Sequence, residues 1–218
     1  MDNKSTGIIW DWNGTLLDDV SLCIDVMNSL LNDRHLPLLN HERYREIFDF
    51  PVIEYYKKLG FNFNVDPFEV IGLEFMKRFL EHIEKVPLMD GAVEILEWFD
   101  NKGYRQYILS AMEQQSLDKI LLDKGIHPYF EAISGINNHY GGGKMEEGRH
   151  FITDNKMNPN EAYLFGDTIH DFEVGDRLGM KVVLIAQGHQ SKQRLIETKA
   201  VVVDNFEQLK KWFEINGK

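Results

Sequence analysis

The sequence predicts an α/β protein: a parallel sheet with an all-helical segment inserted after its first strand. Three observations carry this. From Gly91 onward, short β-rich apolar runs alternate with helical stretches, the pattern of a parallel sheet covered on both faces. The run "GIIWDW" at 7–12 belongs with them by composition. Between about Asp18 and Met89 the apolar periodicity is helical only.

The elements follow in order. In the insert, Leu22, Val26 and Leu30 lie four apart, as do Cys23, Met27 and Leu31, which makes one helix with a broad apolar face. Shorter helices are expected at 40–48 and 52–59, and Ile71, Phe75, Phe79 and Ile83 mark a second long helix. Pro37, Pro51, Pro67 and Pro87 fall near the joins, where a missing N–H and a fixed φ start or stop helices. A helix over 91–102 has Asp90 as its expected N-cap and Gly103 just past its end. Strands at 104–111, 131–136, 162–167, 181–187 and 200–204 then alternate with helices near 114–124, 145–156, 170–178 and 206–215. The reading is a Rossmann-like parallel-sheet core, residues 1–17 and 90–218, with a small helical cap over 18–89.

Composition narrows the function. With 218 residues, 43% hydrophobic and 12% aromatic, the chain can bury a sizeable core. Lys and Arg total 24 against 35 Asp and Glu, a net charge of −11. That balance argues against nucleic acid as a partner. It leaves room for a small phosphorylated ligand, because a divalent cation and one lysine reverse the field locally. The single cysteine, Cys23, rules out an intramolecular disulfide and reads as a small apolar helix residue. No apolar leader and no membrane-length run are apparent, so a cytoplasmic protein with no membrane partner is expected. Oligomeric state is not legible.

Ligands of open parallel sheets bind at the carboxyl ends of the strands. That singles out Asp11 and Asn13, Ser110, Lys144 in the loop region after the third run, and Asp167 with Asp171. Each alone has a plain structural reading as a turn former, a helix cap, or a solvated lysine beside "GGG" at 141–143. Together, "DWNGTL", "ILSA", "GGGK" and "GDTIHD" reproduce in order the four signature segments of haloacid dehalogenase-like hydrolases. The sequence resembles that family over essentially its whole length. The helical segment resembles the family's type 1 cap, and "FDFPVIEYYKKLGF" and "IAQGHQSKQRL" are similar to its phosphoglycolate phosphatase-like branch.

The resemblance implies roles. Asp11 would attack phosphorus and form an aspartyl-phosphate. Ser110, Ala111 and Lys144 would hold the phosphoryl oxygens. Asp11, Asp167 and the main-chain carbonyl of Asn13 would coordinate Mg²⁺, with Asp171 orienting Lys144 or a metal-bound water. Thr15 and neighbouring amides could donate hydrogen bonds to the phosphoryl group. The physical logic is independent of the name: an anionic carboxylate meets an anionic phosphate only if cationic groups neutralise the developing charge.

Asn13 departs from the pattern. Phosphatases of the family usually carry a second aspartate there, which protonates the leaving oxygen. An amide cannot, and such help is commonly worth ~10²–10⁴-fold. The expected activity is hydrolysis of a small phosphorylated metabolite, with phosphoglycolate the first candidate. Either another group replaces the acid (the candidates are Asp18 and Asp19, near it in sequence, and His170 in the segment "GDTIHD"), or the substrates are acyl or aryl phosphates with good leaving groups. The alternatives are a catalytically weakened phosphate-binding or regulatory module, and a phosphonate hydrolase using Lys57 or Lys58 as a Schiff-base amine. Arg45, Tyr55, Tyr56 and the segment Phe48 to Pro51 are candidates for choosing the leaving group.

Overall fold

A computed structural model describes residues 6–136 and 144–217. Its sheet has six strands, β1 (Gly7–Trp10), β2 (Arg105–Glu113), β3 (Ala132–Ile136), β4 (Tyr163–Gly166), β5 (Lys181–Ile185) and β6 (Val201–Val203). They pair in the order β3-β2-β1-β4-β5-β6, all parallel. The α/β, Rossmann-like reading holds. Side chains alternate across the pleat, so successive residues of β1 serve different cores. Ile8 and Trp10 pack on one face, and Ile9 joins Tyr107, Leu109 and Leu164 on the other. Because both faces are covered, apolar residues stand at every position of β1.

Helices α1 (Val20–Asp33), α2 (His41–Ile47), α3 (Val52–Leu59) and α4 (Phe68–Leu80) follow β1. After them come α5 (Ala92–Asn101), α6 (Gln114–Asp123), α7 (Lys144–Asp154), α8 (Ile169–Leu178), α9 (Lys192–Leu195) and α10 (Phe206–Asn216). Trp10 anchors the first face through edge contacts with Phe99 of α5 and Phe206 of α10, at centroid distances of 5.7 and 5.9 Å. The other face is covered by Phe151 of α7 and Val174 of α8.

Local differences from the sequence reading have identifiable causes. The helix expected through Ile83 stops at Leu80, and Ile83 falls in a separate 3-10 turn. Asp90 does not cap α5; the N-cap is Gly91, with φ of 78°, which favours glycine over any side chain. Gly103 follows the C-cap Lys102, as expected, with φ of 78°. β2 runs past 111 to Glu113, and its register against β3 shifts between Leu109 and Glu113. Cys23 is a free, buried cysteine.

Two features position the site. The chain builds β1, β2 and β3 in one direction and β4, β5 and β6 in the other, so the order reverses beside β1. A crevice opens at the carboxyl ends of strands at such a switch. The chain leaves β1 and returns to α5 through paired passages: the Asp18 amide donates to the Pro87 carbonyl at 3.1 Å and the Met89 amide to the Leu16 carbonyl at 2.8 Å. The helical insert is also fastened to the segment after β5. Arg45 donates to the carbonyls of Ala186 (2.8 Å) and Gln190 (3.1 Å), and the Gln190 side-chain Nε2 donates to the Phe48 carbonyl at 3.0 Å. Arg45 is therefore a latch, and it is not among the residues lining the cavity described below.

Candidate active site

Asp11 follows β1 directly, and its amide donates to the Phe165 carbonyl of β4 at 2.8 Å, which ties the two strand ends together. The chain then turns through Gly14, with φ of 74°. A Cβ on Gly14 would lie 2.4 Å from the nearer carboxylate oxygen of Asp167, so a glycine is required both by φ and by close approach. Thr15, buried in this turn, has its hydroxyl 3.2 Å from Asp11 Oδ2 and 3.1 Å from Asp167 Oδ1. Ser110 and Ala111 lie in the irregular stretch of β2, where the Ser110 hydroxyl accepts the Met112 amide at 3.0 Å. Irregular register of this kind re-aims strand side chains and is common beside functional sites.

Lys144 is placed differently from the sequence reading. It is the first residue of α7 rather than a loop residue, and it is buried; the neighbouring "GGG" at 141–143 lies outside the described residues. Its ammonium contacts Asp11 Oδ1 and is 2.6 Å from Asp171 Oδ1. Asp171 stands in the first turn of α8 and closes a capping box with Thr168. Its Oδ2 accepts the Thr168 amide (3.0 Å) and hydroxyl (2.7 Å). The capping role and the orientation of Lys144 thus belong to the same carboxylate.

Asp11, Asn13, Ser110, Ala111, Lys144 and Asp171 line one cavity, and Thr15 connects Asp11 to Asp167 beneath it. Burial pushes the Asp11 carboxyl up to about 6, offset by Lys144 and reinforced by Asp171. Burial likewise pushes Asp167 up to about 7, against the attraction of His189. Burial also works against the Lys144 ammonium, but Asp11 and Asp171 overcome it and hold its pKa above the ordinary lysine value. The site therefore has more carboxylate than cation.

That excess suits a hard divalent ion. Oxygens of Asp11, Asp167 and Asp171 lie within 4.8 Å of one another, and all-oxygen sets favour Mg²⁺ or its relatives. Asp171 uses both oxygens to fix the fold, on Lys144 and on the Thr168 cap. Asp11 and Asp167 instead share the Thr15 hydroxyl between them, so these two are the pair that a cation would bridge in place of that hydroxyl. A measurable consequence follows. Raised carboxyl pKa values mean stability that is fully present below the ordinary 3.8 and lost as pH climbs through about 6 and 7. Without divalent cation, thermal stability is expected to fall across that window. Added Mg²⁺ should raise the melting temperature little near about pH 5 and strongly near about pH 8, where protons no longer compete. Equal shifts at both pH values would count against a cation held by these carboxylates.

The sequence reading missed His189. Asn13 Nδ2 donates to Asp19 Oδ2 at 2.7 Å, and the Gly14 amide donates to Asp19 Oδ1 at 2.8 Å. His189 Nε2 lies 3.3 Å from that same Oδ1, and His189 Nδ1 is 2.8 Å from the Tyr44 hydroxyl. The His189 amide also donates to Asp167 Oδ2. Burial works against the imidazolium, but Asp19 and then Asp167 outweigh it and lift His189 to about 9. Asp19 is in turn held below the usual carboxylate range by His189, Asn13 and Gly14 despite its burial. His189→Ala leaves Asp19 buried without its cation, so a loss of about 3–5 kcal/mol is expected in denaturant melts near neutral pH. A loss under ~1 kcal/mol would show that the pair is not coupled.

The other candidates separate cleanly. Asp18 is exposed. His170 lines the cavity, stacked on Phe50 at 4.6 Å, with its Nε2 buried and lacking a partner among the described residues. Lys57 and Lys58 are ion-paired outside the cavity, with Glu54 at 2.6 Å and Asp49 at 3.8 Å. Among the described residues, Lys144 is the only lysine lining it.

A parallel sheet thus brings strand-end carboxylates, a serine and a lysine together at its switch point. The family model for haloacid dehalogenase-like hydrolases matches residues 8–185, and the chain belongs to that family. Its fold is that of a haloacid dehalogenase-like hydrolase from Streptococcus pneumoniae (17% identity, TM-score 0.77, 97% of this chain and 100% of that one). It is equally similar to a predicted phosphatase from Clostridium acetobutylicum (18%, TM-score 0.77, 97% and 100%). A predicted phosphoglycolate phosphatase from Haemophilus somnus aligns at 18% identity with a TM-score of 0.75, covering 97% and 98%. No match was found among curated proteins. No helix among the described residues is long and apolar enough to cross a membrane.

Proposed function

We propose that this hydrolase is a Mg²⁺-dependent phosphatase acting on a small organophosphate through an aspartyl-phosphate on Asp11. The observation that carries the proposal is the convergence of Asp11, Ser110 and Lys144 on one cavity, with Asp167 joined to Asp11 through Thr15. A carboxylate oxygen of Asp11 attacks phosphorus as the bond from phosphorus to the leaving oxygen breaks and that oxygen departs with the organic group. Water then hydrolyses the acyl-phosphate and frees Asp11, so one difficult hydrolysis becomes two easier steps. Lys144 and Ser110 hold the phosphoryl oxygens, and Asp171 keeps the ammonium in place. Asp11, Asp167 and the Asn13 carbonyl hold the metal, which supplies charge neutralisation when bound. Residues 18–89 act as the cap, docked on the core by Arg45 and closing over the leaving group.

Asn13 gives its amide proton's hydrogen bond to Asp19 and has no proton to transfer. The departing oxygen draws its proton from solvent, and the reading favours substrates whose leaving groups need little protonation. The test is phosphate release, with and without Mg²⁺, from an acyl phosphate, an aryl phosphate, an alkyl phosphate and phosphoglycolate. The acyl phosphate and the aryl phosphate are expected to turn over fastest, and only with Mg²⁺. Mg²⁺-dependent phosphate binding with no release from any of them would instead favour a binding module.

A further inference from the structure

The cavity does not end at the phosphoryl site. It continues from Asp11 and Lys144 among α1, α3 and α4 of the insert, with a volume of about 210 Å³. On the insert side its wall is formed by side chains such as Met27, Phe48, Phe75, Met76 and Phe79. Lys144 is the only lysine or arginine among the described lining residues, and it is already held by two carboxylates. The Tyr44 hydroxyl is engaged by His189, and the buried Tyr55 hydroxyl has no partner among the described residues. Tyr55 and His170, whose Nε2 also lacks a partner among the described residues, each offer one hydrogen bond, which is too few for a row of sugar hydroxyls. With Lys144 already paired, the described lining holds no free lysine or arginine to offset a buried carboxylate.

Gly72 adds an independent observation. It lies inside α4 and lines the cavity, and a Cβ built on it would meet nothing within 4 Å. Neither a turn nor a close approach requires glycine here, and glycine inside a helix is unfavourable. What it does is leave room. Benzene fills an apolar cavity of roughly 150 Å³, so the space suits a single ring joined to a phosphate.

We infer that the substrate's leaving group is a compact apolar body, of the size of one aromatic ring, and not a carboxylate or a sugar. This rests on the phosphatase reading for turnover but has its own binding test. 2-Phenylethyl phosphate and phosphoglycolate both lose an alkyl oxygen, so their comparison is largely free of leaving-group activation. With Mg²⁺ present, kcat/KM for 2-phenylethyl phosphate is expected to exceed that for phosphoglycolate and glucose 6-phosphate at least tenfold. In calorimetry, benzylphosphonate is expected to bind at least tenfold more tightly than phosphonoacetate. Gly72→Leu, which fills the space and suits a helix better, should lower the ratio of 2-phenylethyl phosphate to acetyl phosphate turnover at least tenfold. Preference for phosphoglycolate or phosphonoacetate overturns the inference and leaves the phosphatase reading intact. An unchanged ratio in folded Gly72→Leu protein overturns it too. Tight benzylphosphonate binding without any phosphate release sinks the phosphatase reading alone; no release and no preference between the phosphonates sinks both.

Discussion

Asn13→Asp is expected to raise phosphate release from alkyl monophosphates by ~10²-fold or more and from aryl phosphates far less, because only the former need a proton at the leaving oxygen. The surroundings favour the acid form. The amide at position 13 donates to Asp19 at 2.7 Å, so a carboxyl there would face a carboxylate, and two such groups do not both ionise at that distance. His189, 3.3 Å from Asp19, keeps Asp19 the anionic member. The shared proton therefore sits on position 13, ready for the leaving group. A raised pKa there also means that the substitution costs more stability as pH rises. The rate gain is thus expected to shrink on the alkaline side. The check is kcat/KM for ethyl phosphate and 4-nitrophenyl phosphate across pH. Equal gains on both substrates, or none, would show that proton supply at this position does not limit turnover.

Asp11→Asn is expected to cut phosphate release on the order of 10⁴-fold or more, as removal of a nucleophile does elsewhere. The fold should survive. Asp11 is buried with its pKa raised to about 6, so near neutral pH its ionised form works against folding. Lys144 keeps Asp171 at 2.6 Å after the change. The melting temperature of the metal-free variant is therefore expected to equal or exceed that of the parent. Intact-mass measurement during turnover should find a phosphorylated chain for the parent and none for the variant. A variant that keeps a tenth of the parent's activity would remove Asp11 from the chemistry.

Much of the fold was legible because its signals are local. Continuous apolar runs such as "IIW" announce strands covered on both faces, and the four-residue spacing of Leu22, Val26 and Leu30 announces α1. Gly103 ends α5 as its position suggested. The misses were also local, where two reasonable signals competed. Ile83 kept the helical spacing of α4, yet the chain had already turned, and its side chain is buried from a 3-10 turn instead. Asp90 looked like a cap, but the passage from Met89 into α5 calls for a positive φ that only Gly91 meets readily.

The site divides along the same line. Asp11, Ser110 and Asp167 sit at or beside the ends of apolar runs, so strand periodicity alone fixed where each would emerge. The position of Lys144 at the start of a helix, the turn of Arg45 away from the cavity, and the pairing of Asn13 with Asp19 and His189 were decided by tertiary packing. His189 stands 170 residues from Asp19 (189 − 19), and nothing in its own neighbourhood announces a buried ion pair. Periodicity and turn chemistry act over a few residues, whereas the charge state and partner of a buried group depend on whatever distant chain the fold lays against it.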